Sequence, residues 1–383
     1  MVERSYFDWN ATAPLRDEAR DAVTAALGLT GNASSVHAEG RAARRLVEDA
    51  RGHVADLVGA EARNVTFTSG ATEANMLALT PAIEVGGRKE PRDRLLISAI
   101  EHPSVRSGGR FAAHQVEELP VTARGLVDLV ALKRLLGHCQ RPLVSVMLAN
   151  NETGVIQPIA EIADIVHAAS GVLHVDAVQA PGRIPCDITA LGADLLSISS
   201  HKIGGPQGAG ALVRRGDIHI TDSLIKGGRQ ERGQRAGTEN VAAIAGFGAA
   251  AAAAKQMDGA RMAALREQVE AGIKASAPRA VFFGADTPRL PNTSLFTVPG
   301  LKAETAIIAF DLNGIAVSSG SACSSGKVQA SHVLAAMGVE PELSRGAVRI
   351  SLGWSTAEAD IERLLNAWNT VVSSLLNKQA NAA

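Results

Sequence analysis

The sequence predicts an α/β fold: a large domain built on a mostly parallel central sheet, followed by a smaller α+β C-terminal domain. Short β-rich runs alternate with helical patterns over the first 215 residues, as expected of parallel strands joined by crossover helices. Several of these runs are apolar throughout, as strands covered on both faces are. Past an alanine-rich stretch at 239–275 the pattern shifts to shorter strands and helices. The expected division is 14–255 for the large domain and 256–383 for the small one, with residues 1–13 packing on the small domain.

Taken in order, the expected strands of the large domain are NVTFT (64–68), RLLISA (94–99), LVSVMLA (143–149), VLHVDA (172–177), LLSIS (195–199) and GALVRR (210–215). Segment 158–169 opens with proline and carries apolar residues at helical spacing, so it reads as a helix. The run Ala249 to Ala254 consists of the best helix former, and 239–275 therefore reads as one long helix. Strands at 294–298 and 347–352 and helices at 302–311 and 355–376 complete the small domain.

Composition narrows the function. The chain has 383 residues, 46% hydrophobic and 20% charged, enough for sizeable cores. Its net charge is −1 and the basic residues are scattered, so no nucleic-acid or anionic-membrane footprint is expected. No apolar run approaches the roughly 18 residues of a membrane span. The opening MVERSYFDWN lacks the apolar core of a signal peptide. The three cysteines, Cys139, Cys186 and Cys323, form no C-x-x-C pair. Neither a disulfide framework nor a metal site of thiolates is expected, and a cytoplasmic home follows. The nucleotide-binding loops G-x-x-x-x-G-K-[ST] and G-x-G-x-x-G follow none of the strands.

Ligands of α/β sheets gather beyond the carboxyl ends of the strands. The first strand runs into Ser69-Gly70-Ala71-Thr72-Glu73 before a helix, where free N–H groups can hold an anion. The second ends near Glu101-His102, the third at Asn150-Asn151, the fourth at Asp176 with Gln179 three residues on, and the fifth at His201-Lys202. A carboxylate closing an apolar strand is costly without a partner. Together these ends offer an anion cradle, a histidine, an amide, an aspartate and a lysine. That set matches pyridoxal 5′-phosphate, which has a phosphate, a ring nitrogen that works best beside a carboxylate, and an aldehyde that condenses with lysine.

The chain resembles the pyridoxal-phosphate cysteine desulfurases, members of the class V aminotransferases of fold type I. The resemblance runs from YFDWNATAP (6–14) to RISLGWST (349–356) and is carried by TSGATEAN (68–75), EHPSV (101–105), NNETG (150–154), HVDAVQ (174–179), SSHKIGGPQG (199–208), RAGTEN (235–240) and SSGSACSSG (318–326). It implies that Lys202 holds the cofactor as a Schiff base, Asp176 pairs with its ring nitrogen, Gln179 bonds its phenolic oxygen and His102 stacks on its ring. Thr72, Ser199, His201 and the backbone of Ala71 would hold the phosphate. Thr238 would complete that cradle from a second subunit, implying a homodimer. Asn151 and Arg349 would hold the substrate carboxylate, a task that suits the planar guanidinium fork.

Cys323 lies among serines and glycines, a neighbourhood poor in large apolar groups. The resemblance implies that it takes the sulfur of L-cysteine as a persulfide, with L-alanine as co-product and His102 as proton donor or acceptor. The surroundings of Cys323 are similar to the branch with a longer cysteine loop, which serves iron–sulfur cluster assembly or nitrogen fixation. A sulfur-acceptor protein such as an iron–sulfur scaffold is the implied partner. Arg229 stands where the family has a third glycine, and Trp9 where a polar residue is more usual. A selenocysteine lyase or another class V enzyme shares Lys202 and Asp176 without needing Cys323, and a scaffold protein that kept the fold but lost the chemistry is the third reading.

Overall fold

The structure, a computed structural model, describes residues 4–256, 258–320 and 330–376. Its centre is a seven-stranded sheet of β1 (Val65–Thr68), β2 (Arg94–Ser98), β3 (Val116–Leu119), β4 (Pro142–Met147), β5 (Val172–Asp176), β6 (Leu195–Ser199) and β7 (Gly210–Arg214), in the spatial order β1-β7-β6-β5-β4-β2-β3. Strands β6, β5, β4, β2 and β3 run parallel, while β7 lies antiparallel to both of its neighbours. Every residue of β4, β5 and β6 is buried. Separate apolar layers cover the two faces, one around Val47, Val144 and Phe247 and the other around Leu77, Leu95 and Leu143. That double cover is why these strands read as continuous apolar runs. The edge strand β3, VEEL, has no such run and was not expected from the sequence.

The alanine-rich region differs from expectation: it forms two helices, Val241–Ala254 and Gly259–Ser276. The Asp258 carboxylate accepts the Arg261 N–H at 3.0 Å and starts the second helix. The small residues of the first helix serve close packing as well as propensity. A Cβ on Gly248 would come within 2.5 Å of Ala50 Cα on helix Ala38–Leu57.

A second sheet, in the order β8 (Val281–Phe282), β9 (Thr293–Thr297), β11 (Val348–Ser351), β10 (Ser318–Ser319), is antiparallel throughout. It packs on Trp368, whose ring meets Phe296 edge-on at 5.3 Å and stacks on Phe310 at 6.2 Å. The N-terminal segment joins this layer, with Ser5–Tyr6 pairing Ile315–Ala316 and Phe7 buried in the same core. Trp9, the family departure, has a packing role here. It is 3% exposed, covers Gly353 closely and meets Trp354 edge-on at 4.6 Å.

The segment that carries Arg229 contains two consecutive left-handed residues, Glu231 (φ 45°) and Arg232 (φ 55°). Such conformations cost about 1–3 kcal/mol each. A buried ion pair offsets the strain: the Glu231 carboxylate takes Arg51 Nη1 at 2.6 Å, Arg51 Nη2 at 2.9 Å and the Phe67 N–H at 2.9 Å. Among the described residues, no helix is long and apolar enough to cross a membrane.

Candidate active site

A cavity of about 460 Å³ opens at the carboxyl ends of β1, β2, β4, β5 and β6. Ten of the twelve residues singled out from the sequence line it: Ala71, Thr72, His102, Asn151 and Asp176, with Gln179, Ser199, His201, Lys202 and Arg349. Thr238 is exposed and lies outside this cavity. Cys323 falls outside the described residues.

Each lining group is placed by its strand end. Asp176 closes β5, where its Oδ2 accepts the Asn75 amide at 2.9 Å and its Oδ1 accepts the Val178 N–H at 3.1 Å. Lys202 follows β6 in a short turn, and its Nζ donates to the carbonyls of Asn10 at 2.6 Å and Ala11 at 2.8 Å. Helix Ala71–Ala78 begins directly after β1 and directs its first turn at the cavity, leaving backbone donors for an anion. Gly210 is required beside that turn, since a Cβ there would lie 2.6 Å from the Gly70 carbonyl carbon.

Burial pushes the imidazoles toward the neutral form. Burial, reinforced by the Lys202 charge, lowers His201 to about 4, and its Nδ1 lies 3.1 Å from Thr12 Oγ1. Beneath the floor, burial also lowers His174 to about 4, where it bridges Ser145 Oγ at 2.8 Å and Ser197 Oγ at 2.9 Å. Burial lowers His102 as well; Asp176 opposes that shift and Lys202 adds to it.

Arg349, 2% exposed, reaches the cavity from β11. Its Nη2 pairs with Asp8 Oδ1 at 2.7 Å and its Nη1 donates to the Asn151 carbonyl at 2.9 Å, while its buried Nε meets no protein acceptor. Gln179 donates through Nε2 to the Asn10 carbonyl at 3.0 Å, and its Oε1 accepts from Arg183. This fixes the amide with its nitrogen as the donor that remains for a ligand. Arg183 is enclosed among neutral acceptors, and burial pushes it down to about 9.

Sequence reasoning missed several of these groups. Asp8, Asn10, Asn75 and Arg183 sit inside or beside recognised motifs, yet their roles depend on contacts with distant segments. Two buried carboxyls were also missed. Glu101, enclosed and close to Asp176, is raised to about 8. Glu152, which accepts from Ser331 Oγ at 2.5 Å, is raised to about 7 by burial.

A large, mostly parallel sheet with a lysine, an aspartate and an anion-binding helix start at its strand ends is the arrangement of the class-V aminotransferases, and the family description "Aminotransferase class-V" matches residues 5–364. The chain belongs to this family, and within it to the cysteine desulfurases. It is 40% identical over 380 residues to a cysteine desulfurase of Cereibacter sphaeroides, covering 98% of this chain and 97% of that one. It is 40% identical over 372 residues to an IscS-like cysteine desulfurase of Mycobacterium tuberculosis, covering 94% of each. Among solved structures, a NifS-like protein from Rickettsia africae superposes with a TM-score of 0.87 at 37% identity, over 97% of this chain and 100% of that one.

Proposed function

We propose that the protein is a pyridoxal 5′-phosphate-dependent cysteine desulfurase that converts L-cysteine to L-alanine and receives the sulfur on Cys323. The observation that carries this reading is the meeting of the Lys202 amine, the Asp176 carboxylate and the first turn of helix Ala71–Ala78 in one cavity.

The residues fit the cofactor. The helix start with Thr72, Ser199 and neutral His201 supplies donors for a phosphate. Asp176, fixed by two hydrogen bonds, would pair with the ring nitrogen. Gln179 keeps an N–H for the phenolic oxygen, and Lys202 supplies the amine for the aldehyde. When bound, the cofactor supplies an electron sink for charge developed at the substrate Cα.

The remaining steps belong to the chain. Arg349 binds the substrate carboxylate with donors that Asp8 and Asn151 leave oriented, and Asn151 lines the same end of the cavity. The Lys202 amine would take the Cα proton. The Cys323 thiolate attacks the substrate Sγ, because the thiolate is the nucleophile and the thiol is not. The Cβ–Sγ bond breaks as the S–S bond forms, and Cβ gains a proton. One cysteine and one thiol thus become one alanine and one persulfide, with no external oxidant. The persulfide is a reversible store from which sulfur can be passed on.

We further propose a cytoplasmic homodimer in which Thr238 of each copy completes the phosphate site of the other. The large domain, 14–255, holds the cofactor, and the small domain, 256–383, carries Cys323 and Arg349. A sulfur-acceptor protein, such as an iron–sulfur scaffold, is the partner. An alanine and sulfide assay with L-cysteine and a reductant tests the reading. Wild type should make both products in equal amounts, and Cys323→Ala should make neither while still binding the cofactor. A Cys323→Ala variant with full activity would favour an enzyme that cleaves its substrate without a thiol nucleophile, such as a selenocysteine lyase.

A further inference from the structure

His102 begins the four-residue helix Pro103–Arg106, and its ring is tied into a chain of hydrogen bonds whose direction is fixed by chemistry. Asn75 Nδ2 lies 2.9 Å from Asp176 Oδ2 and 2.9 Å from Ser104 Oγ. An amide nitrogen only donates, so its two protons go to those two oxygens. The Ser104 hydroxyl, which can both donate and accept, lies 2.8 Å from His102 Nδ1, and the direction of that bond is set by the backbone beside it. The Ser104 backbone N–H, which can only donate, reaches the same Nδ1 at 3.2 Å. Two donors therefore converge on Nδ1, and the single proton of the neutral ring must sit on Nε2.

We propose that Ser104 and Asn75 are positioning residues that lock His102 as the neutral Nε2–H tautomer, so that His102 presents Nε2–H to the reaction as a hydrogen-bond donor. A second proton could enter only at Nδ1, against the Ser104 N–H and with reversal of the Ser104 hydroxyl. The titratable groups around the ring agree with this state. Lys202 opposes a positive imidazolium, and Asp176 is engaged by Asn75. Glu101, next in the chain, is held protonated at neutral pH by burial beside Asp176, and His332 Nε2 donates to the Glu101 carbonyl, 2.9 Å away. The pattern of a neutral imidazole acting as a hydrogen-bond donor has precedent in enzyme sites where the histidine pKa is depressed. The inference rests on the desulfurase reading for its chemical consequence, but not for the tautomer itself.

The test is nitrogen-15 NMR of histidine-labelled, cofactor-loaded protein, with His102 assigned by comparison with His102→Gln. From about pH 6 to pH 8, where an ordinary histidine titrates, wild type should show Nε2 protonated and Nδ1 unprotonated throughout. In Ser104→Ala the loss of the hydroxyl should raise the His102 titration into this range, and Ser104→Thr should restore the wild-type spectrum. The kcat/KM profile for L-cysteine should gain an inflection in Ser104→Ala that wild type and Ser104→Thr lack. An imidazolium or an Nδ1–H tautomer in wild type would overturn the proposal, as would a Ser104→Ala spectrum identical to wild type. Should Ser104→Ala fail to fold, the wild-type spectrum alone decides. If L-cysteine is not turned over at all, the desulfurase reading fails while the tautomer is still read directly.

Discussion

On the floor of the cavity, Asp176, Ser199 and Lys202 stand at or just beyond the ends of adjacent strands; the partners of Asp176 lie within the same sheet and its helices, while Lys202 reaches the carbonyls of Asn10 and Ala11. On the rim, Arg349, Asp8, Asn10 and Asn151 come from segments up to 341 residues apart and hold one another by an ion pair and carbonyl contacts. Strand order places the floor residues. The rim exists only once the second sheet and the N-terminal segment have packed against it. The floor is therefore suited to a cofactor that stays, and the rim to a substrate that must enter and leave.

The sharpest break of this comparison is Lys202→Ala. It should cut alanine formation on the order of 10⁴-fold or more, since it removes the group that performs the chemistry. Thermal melting of the cofactor-free protein should barely change. A comparable loss in kcat from a rim substitution would contradict the division. Arg349→Lys comes next: it should raise KM for L-cysteine about 10- to 100-fold, the effect of losing charge-assisted hydrogen bonds worth ~1.5–3 kcal/mol, while kcat falls less. Steady-state kinetics separates the two. Asp8→Asn should act in the same direction but more weakly, by up to about fivefold in KM, because the Asp8 side chain is 21% exposed and its pair with Arg349 is partly screened.

These residues also show what the sequence made legible. Asp176, Lys202 and Thr72 follow apolar strands, and their placement needs only the rule that α/β ligands lie beyond strand ends. Arg349 was recognisable through the resemblance, but its partner Asp8 was not, because nothing local ties residue 8 to residue 349. Asn75 is similar. It lies on the first helix after β1, yet its function depends on Asp176, 101 residues away. The break at Asp258 was hidden for a different reason, since high helix propensity on both sides masked a cap. The buried Glu101 and Glu152 look like ordinary loop acids, and only enclosure reveals their character.

Those two carboxyls give the smallest expected effects. Glu101 is raised to about 8 and Glu152 to about 7 in the folded protein. The folded state therefore binds a proton more tightly than the unfolded chain, whose glutamates titrate near 4.3. Their stabilising contribution is complete below the unfolded value and is lost as pH rises toward the folded one. Melting temperatures measured from about pH 5 to pH 8 should fall across the range in wild type. Glu101→Gln, on the floor, should flatten that fall up to the alkaline end, and Glu152→Gln, on the rim, only up to about pH 7. Equal slopes in wild type and both variants would show that neither carboxyl is enclosed as described.

The most direct test of the central claim is a single turnover without reductant, read by mass spectrometry of the peptides and by quantifying alanine. The account predicts one alanine per chain and the added mass of one sulfur atom on the peptide that carries Cys323. Alanine formed with no added sulfur, or with sulfur on Cys139 or Cys186, would contradict it.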